Sequence, residues 1–369
     1  MSKVLLDQEK IATSIKGAIA FRIRYRSQDL NGVATESTGV VIAPEDTSAE
    51  RNVISWTHGT TGTGDAACPS AQPDPARELT LYYTYGSQTQ IDYGVPGLQK
   101  FIDDGYVVVA TDYQGLGTPG VHQYTVNRTQ AIDAVMIVHA ARELSIGAGK
   151  RFGVIGWSQG GGTAAAAVEL DETIYGELEV VGAVCQSPGI PIIGLKQPSM
   201  GGVMADNDVP PDGHLFMSLG GFAAAFPDKL SLDDVFTPLG RRVWDEGWNT
   251  QPVHHLADVL GRVYKHEGQV MKIDREKFPV WIEALTAGCA GLKKPVAPVL
   301  VQIDTQFEDG PQPIVVQPVP RAWQHGYVDV VKELGGDVSF TEYPNDDHFS
   351  LPQNGIDEAR EWFSARFGG

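Results

Sequence analysis

Three residue types stand where acyl-transfer chemistry would need them: a serine held between glycines, a carboxylate late in the chain and a histidine after it. The serine lies in Gly156-Trp157-Ser158-Gln159-Gly160, with the apolar run 152–155 before it and the alanine-rich stretch 163–170 after it. Strand, Gly-x-Ser-x-Gly and helix in that order describe a tight turn that exposes the serine hydroxyl. Glycines at 156 and 160 remove Cβ atoms for which so sharp a turn has no room. Gln159 then opens a helix, and its amide is placed to stabilise a developing oxyanion. Ser158 is the predicted nucleophile, with a tight structural turn as the plainer reading.

A serine needs a base at neutral pH, and the base needs a group that orients it. Of the nine histidines, His348 follows the apolar-alternating stretch 338–343 within Tyr343-Pro344-Asn345-Asp346-Asp347-His348, which makes it the predicted base. Asp346 and Asp347 are too close in sequence to reach its Nδ1 with good geometry, and they read as residues that fix the loop. The predicted acid is Asp304, at the end of the strand 298–304, with Asp309 and Glu308 in the following loop as alternatives. A second oxyanion donor is expected from His58-Gly59-Thr60, where the glycine lets backbone approach a substrate. The amide of Thr60 is nominated, with Thr61 next. His58 reads as a packed turn residue and Asp65 as a brace for the loop.

These residues need a scaffold, and the chain is long enough to build one. Its 369 residues are 42% hydrophobic, so a sizeable core is available. A formal net charge of -18 argues against nucleic acid and anionic membranes as partners. No apolar stretch is long enough for an integral membrane segment. Met1 to Lys10 is charged and lacks an apolar core, so no signal peptide is read there. The expectation is a cytoplasmic chain, or a secreted one from which a signal has been removed. Three cysteines exclude a disulfide framework. Cys185 reads as a buried thiol, and in an exported chain Cys68 and Cys289 are available for one bridge. His254, His255, His214 and His266 lack ligand spacing, so neither a metal nor another cofactor is expected. Gly160-Gly161-Gly162 lacks the Lys-Ser/Thr of a phosphate loop and reads as close helix–sheet packing.

Hydrophobic periodicity orders the rest. Stretches 17–26 and 34–43 alternate like paired strands about the turn Asn31-Gly32. Apolar strands are expected at 52–56, 106–111 and 180–186, and a helix over 128–144. From 298 the pattern resumes with a strand, a helix over 321–334, the strand 338–343 and an amphipathic helix over 356–367. Alternating strands and helices define an α/β class, with a mostly parallel sheet covered by helices on both faces. Residues 1–188 and 296–369 form this core. Residues 189–295 break the pattern and read as an inserted, mainly helical cap, with helical patches at 232–246 and 253–264. Its aromatic and methionine residues (Phe216, Met217, Phe222, Phe226, Trp244, Trp248) read as cap core first and acyl-chain lining second.

Three motifs together carry a resemblance: His58-Gly59-Thr60-Thr61-Gly62 through Asp65 to Cys68-Pro69-Ser70; Asp112-Tyr113-Gln114-Gly115-Leu116-Gly117 through His122-Gln123-Tyr124; and the serine motif itself. The chain resembles the secretory lipase family, the fungal and actinobacterial lipases similar to fungal lipase A, over residues 35–190 and 295–369. The resemblance implies an α/β-hydrolase fold, a helical cap, a Ser-Asp-His catalytic triad and hydrolysis of acyl esters. It carries Ser158, His348 and the oxyanion-hole amides of Thr60 and Gln159 onto this sequence. Two features depart from the family. The usual Gly-x-x-Asp after the penultimate strand would end here on Gln306, and the cap matches poorly, so acyl-chain preference does not transfer.

The expected function is a serine carboxylic ester hydrolase, a lipase or carboxylesterase working through an acyl-enzyme on a small-molecule ester or acylglycerol. A peptidase or amidase on the same fold is one rival. A non-catalytic, hydrolase-like binding protein with an incomplete triad is the other. Oligomeric state is not legible from the sequence.

Overall fold

The computed structural model describes residues 3–196, 209, 211–272, 274–305 and 318–368. Nine strands form one sheet: β1 (Leu5–Ile11), β2 (Ala18–Gln28), β3 (Ala34–Pro44), β4 (Arg51–Thr57), β5 (Val107–Thr111), β6 (Ala148–Trp157), β7 (Glu179–Gln186), β8 (Val299–Asp304) and β9 (Val338–Tyr343). They lie in the order β1-β2-β3-β5-β4-β6-β7-β8-β9. β1, β2, β3 and β5 pair antiparallel, and from β5 to β9 every pairing is parallel. The central strands are nearly continuous apolar runs because both of their faces are buried. Along β6, Phe152 and Val154 join one core cluster while Ile155 and Trp157 join the other, the period-two alternation a sheet imposes.

Helices α1 (Leu98–Asp103), α2 (Asn127–Arg142), α3 (Gln159–Ala167) and α4 (Glu172–Tyr175) connect the strands before β7. On one face α2 and α3 pack through Ala131, Val135, Val138 and the alanines 164–167. On the other, α1 brings Leu98 and Phe101, and the C-terminal helix brings Ile356, Ala359 and Phe363. A Cβ on Gly153 or Gly182 would strike Phe363 or Trp362, so these strand glycines set how closely that helix approaches.

Between β7 and β8 the described chain is helical: α5 (Pro191–Leu195), α6 (Gly213–Ala225), α7 (Leu232–Val235), α8 (Pro238–Asp245), α9 (Val253–Glu267) and α10 (Phe278–Gly288). The expected helix over 232–246 is broken in two because Phe236 turns extended to bridge Met271. Thr237 then caps α8, with Pro238 at its first position. Phe216 stacks on Phe236 at 4.3 Å with Trp244 beside both, a small core belonging to the insertion. The insertion reaches the rest of the chain beyond the carboxyl end of β4. Pro252 bridges Gly62, and the Val253 N–H donates to the Thr61 carbonyl at 2.9 Å. The chain closes with α11 (Arg321–Glu333), β9, α12 (Leu351–Asn354) and α13 (Ile356–Phe367).

The bridge considered between Cys68 and Cys289 does not form. All three cysteines are free and buried, with Cys68 and Cys289 in different clusters of the core. Among the described residues no helix is long and apolar enough to cross a membrane.

Candidate active site

β6 runs straight into Ser158, whose backbone has φ 59° and ψ -118°. A non-glycine residue held there is strained, and the surroundings hold it. The Ser158 N–H donates to Gln186 O at 2.9 Å, and its carbonyl accepts from Gly162 and Gly189. A Cβ at Gly156 would strike the Thr57 hydroxyl and the Gly160 carbonyl, and one at Gly160 would strike the Thr57 carbonyl. Neither glycine has positive φ, so both are demanded by space rather than by conformation.

His348 lies in the turn after β9 and is buried. Its Nε2 is 2.9 Å from Ser158 Oγ. The loop is fixed by the two acids before it. Asp346 accepts from Ser350 Oγ at 2.8 Å and from Asn354, and Asp347 caps the Phe349 and Ser350 amides at 2.9 and 2.7 Å. Burial pushes the imidazole down to about 3, with the nearby His214 adding in the same direction. The ring is therefore neutral at physiological pH, the form in which it can accept a proton.

The other ring nitrogen departs from the expected pattern. Nδ1 is met by the hydroxyl of Ser187, at 2.9 Å. Asp304 does end β8 and is fully buried, but its carboxylate accepts from Gln324 Nε2 of α11 at 2.9 Å and makes no hydrogen bond to His348. The expectation that Asp304 orients the base does not fit this geometry. Strand-end position put it in the right loop, while α11 claims the side chain. Glu308 and Asp309 lie outside the described residues.

Gln159 is the first residue of α3, and Thr60 lies in the loop after β4, two residues beyond His58. Neither backbone N–H is given to an acceptor among the described residues. Both are thus available to an oxyanion. The Thr60 hydroxyl is hydrogen-bonded to the Tyr124 hydroxyl at 2.6 Å, and Thr61 is buried with its carbonyl taken by Val253. A Cβ at Gly59 would lie 2.6 Å from the Trp157 ring, so glycine lets this loop lie flat on the residue before the serine. His58 packs against Tyr113 with ring centroids 4.4 Å apart and both ring nitrogens near backbone carbonyls, a packed turn residue as expected.

The three sequence motifs interlock. Asp65 accepts from the Gly117 N–H at 3.0 Å, tying the first motif to the second. Asp112 accepts from the Ser70 N–H and the Thr38 hydroxyl. His122 accepts from the Gln159 side-chain amide on Nε2 at 2.9 Å, and its Nδ1–H donates to the Gln114 carbonyl at 2.9 Å. Burial pushes His122 down to about 3, which keeps Nε2 an acceptor. His122 and Ser187 are the residues sequence reasoning did not single out. His122 was visible inside the second motif. Ser187 carried only the weak signal of a serine closing a buried strand before Pro188-Gly189.

Sheet order and the strand–turn–helix elbow at Ser158 define an α/β-hydrolase fold. Solved structures agree on the fold. The rice cell wall degrading esterase LipA of Xanthomonas oryzae superposes with a TM-score of 0.69 at 16% identity, covering 98% of this chain and 98% of that one. Candida antarctica lipase A in its closed state gives 0.72 at 15% identity, covering 100% of this chain and 83% of that one. No curated protein matches the sequence. Residues 80–242 match the family model described as secretory lipase. The match and the fold together support a carboxylic ester hydrolase.

Proposed function

We propose that this chain hydrolyses carboxylic esters by a serine mechanism through an acyl-enzyme. The observation that carries the reading is the 2.9 Å contact between Ser158 Oγ, on a strained elbow, and the neutral His348 Nε2. Ser158 attacks the ester carbonyl while His348 Nε2 takes its proton. The tetrahedral oxyanion is held by the N–H groups of Thr60 and Gln159. His348 returns the proton to the leaving alcohol, and water repeats the cycle on the acyl-enzyme. Residues 189–295 act as a cap over this site, and the docking of Pro252 on Gly62 supports that placement. The matching family is a secretory one, which favours release from the cell.

The test is hydrolysis of p-nitrophenyl esters from acetate to palmitate by wild type and Ser158→Ala. Loss of roughly three or more orders of magnitude in the variant is expected. The chain-length optimum separates carboxylesterase from lipase. A wild type inactive on all esters refutes the reading, and faster cleavage of anilides than of esters redirects it to an amidase.

A further inference from the structure

We infer that a cavity beside the β2–β3 hairpin binds a small aliphatic oligoamine, a linear molecule with two or more ammonium groups; the assignment does not depend on the reading of Ser158 and His348. The cavity holds about 590 Å³ and lies between that hairpin, the loop 114–123 and the end of α6. That volume falls within the range of small-molecule sites. Ser158, His348, Thr60 and Gln159 do not line it. Two polar side chains of its wall are left uncommitted by the fold. Gln114 is 5% exposed, and its backbone is fully engaged. Its N–H donates to Asp133 Oδ2 at 2.8 Å, and its carbonyl accepts from His122 Nδ1 at 2.9 Å. The buried Oε1 has no partner, and Nε2 donates to nothing among the described residues. The Thr35 hydroxyl is a second buried polar atom without a partner on the same wall. Buried polar groups are ordinarily paired, so two such atoms on one cavity point to a ligand that pairs them.

Charge selects the kind of ligand. Asp29 is 7% exposed, and its Oδ1 accepts the Asn31 and Val33 N–H groups at 2.8 and 2.9 Å. Its Oδ2 accepts nothing among the described residues. Asp228 adds an exposed carboxylate to the wall, while the neighbouring Lys229 Nζ is held by Glu283 at 2.7 Å. Ionised carboxylates only accept, and the Gln114 amide, bound at neither end, can turn its oxygen to a donor. A ligand that satisfies this wall brings N–H donors and positive charge. The formal net charge of -18 attracts such a ligand from a distance. Val33 and Val121, 59% and 42% exposed, line the same cavity and offer apolar surface to a methylene stem. One carboxylate in the buried wall and one exposed give two ammonium groups separate seats along an aliphatic chain.

The test is calorimetric titration of the full chain with spermidine at about 0.15 M KCl, where diffuse attraction to an acidic surface is largely screened. One saturable site is expected. Asp29→Asn keeps Oδ1 for the hairpin turn and removes the charge, and Gln114→Met removes the free amide. Each is expected to weaken binding about fivefold or more. Val33→Lys sets a competing cation on the exposed rim and is expected to do the same. Glu361→Gln, which removes an exposed charge outside the cavity, should leave the affinity unchanged. If circular dichroism shows that Gln114→Met fails to fold, Val33→Lys and Asp228→Asn still decide, because both positions are exposed. A wild type that takes up no spermidine at millimolar concentration overturns the proposal. So does equal affinity in wild type, Asp29→Asn and Val33→Lys, which would show diffuse binding only. A neutral alkanediol of the same length binding as tightly overturns the charge argument. A capped lysine peptide binding more tightly than spermidine overturns the oligoamine and gives the site to a protein side chain.

Discussion

The indole Nε1–H of Trp157 donates to the backbone carbonyl of His348 at 2.7 Å. The residue before the proposed nucleophile thus grips the proposed base, across 191 positions of sequence. The same indole lies beneath Gly59, so one side chain sets the elbow, His348 and the loop of Thr60 against each other. Trp157→Phe keeps most of the packing and removes the donor. The expected result is a loss of about 1–2 kcal/mol of stability, from the buried carbonyl left unpaired, and about tenfold in kcat. Thermal unfolding and ester kinetics on the same preparation check both, and unchanged kcat would show that the loop holds His348 unaided.

The bond from Val253 to Thr61 can be removed without breaking the helix it belongs to. Val253 is the first residue of α9, where proline is well tolerated, and Pro252 already has φ -51° and ψ 145°, compatible with a following proline. Val253→Pro deletes the N–H that holds the proposed oxyanion loop at Thr61. The expected outcome is retained helicity with kcat lowered several-fold. Equal activity in wild type and variant would mean that Gly59 and Tyr124 suffice to fix Thr60.

His122→Phe keeps a ring in the slot beside Tyr113 and removes both nitrogens. The Gln159 side-chain amide and the Gln114 carbonyl then lose their partners. Each buried orphan costs about 1–3 kcal/mol, so urea unfolding is expected to show a loss of roughly 2–5 kcal/mol. A loss below about 0.5 kcal/mol would mean that the network re-forms around the phenyl ring.

Buried titratable groups give opposite pH trends. Burial pushes His122 and His348 down to about 3, so between pH 6.5 and 3 the unfolded chain binds protons that the fold refuses, and these groups cost stability as pH falls. Burial raises Asp133 to about 7 and Asp92 to about 6 from an ordinary 3.8, so in the native state they hold protons that the unfolded chain has lost. Their contribution is greatest at low pH and declines as pH rises through those windows. Asp133→Asn keeps an acceptor for the Gln114 N–H, now at 2.8 Å, and cannot ionise. The variant is expected to gain on wild type as pH rises from 4 to 7, with a slope approaching ~1.4 kcal/mol per unit. Melting temperatures at half-unit steps test this, and parallel curves would refute the charge argument.

Much of the scaffold was legible because its signals are local. Apolar runs such as 107–111 and 152–155 need no partner to be read as buried strands, and Gly-x-Ser-x-Gly announces its own turn. His348 was singled out from its position after the last strand, and the structure brings its Nε2 to 2.9 Å from Ser158 Oγ. β1 escaped because only Leu5 is buried in it, Leu6 and Ile11 are half-buried, and the exposed polar run 7–10 between them leaves no alternation to find. Helix α6 escaped because Gly220 and Gly221 interrupt an otherwise helical pattern. They are there to admit Trp244 and the backbone of Tyr124, which is tertiary information. The partner of His348 Nδ1 was not legible for a related reason. Strand order says which loop reaches the histidine but not which side chain α11 has already engaged, and Gln324 holds Asp304.

Cys68, Cys185 and Cys289 are all free, and burial holds each thiol well above its ordinary range. The described fold therefore asks nothing of the redox poise around it, and it forms by the same packing in a reducing cytosol and in an oxidising exterior. Thiol reagents should leave the native enzyme untouched and mark only molecules that have opened, which turns three silent residues into a built-in gauge of unfolding.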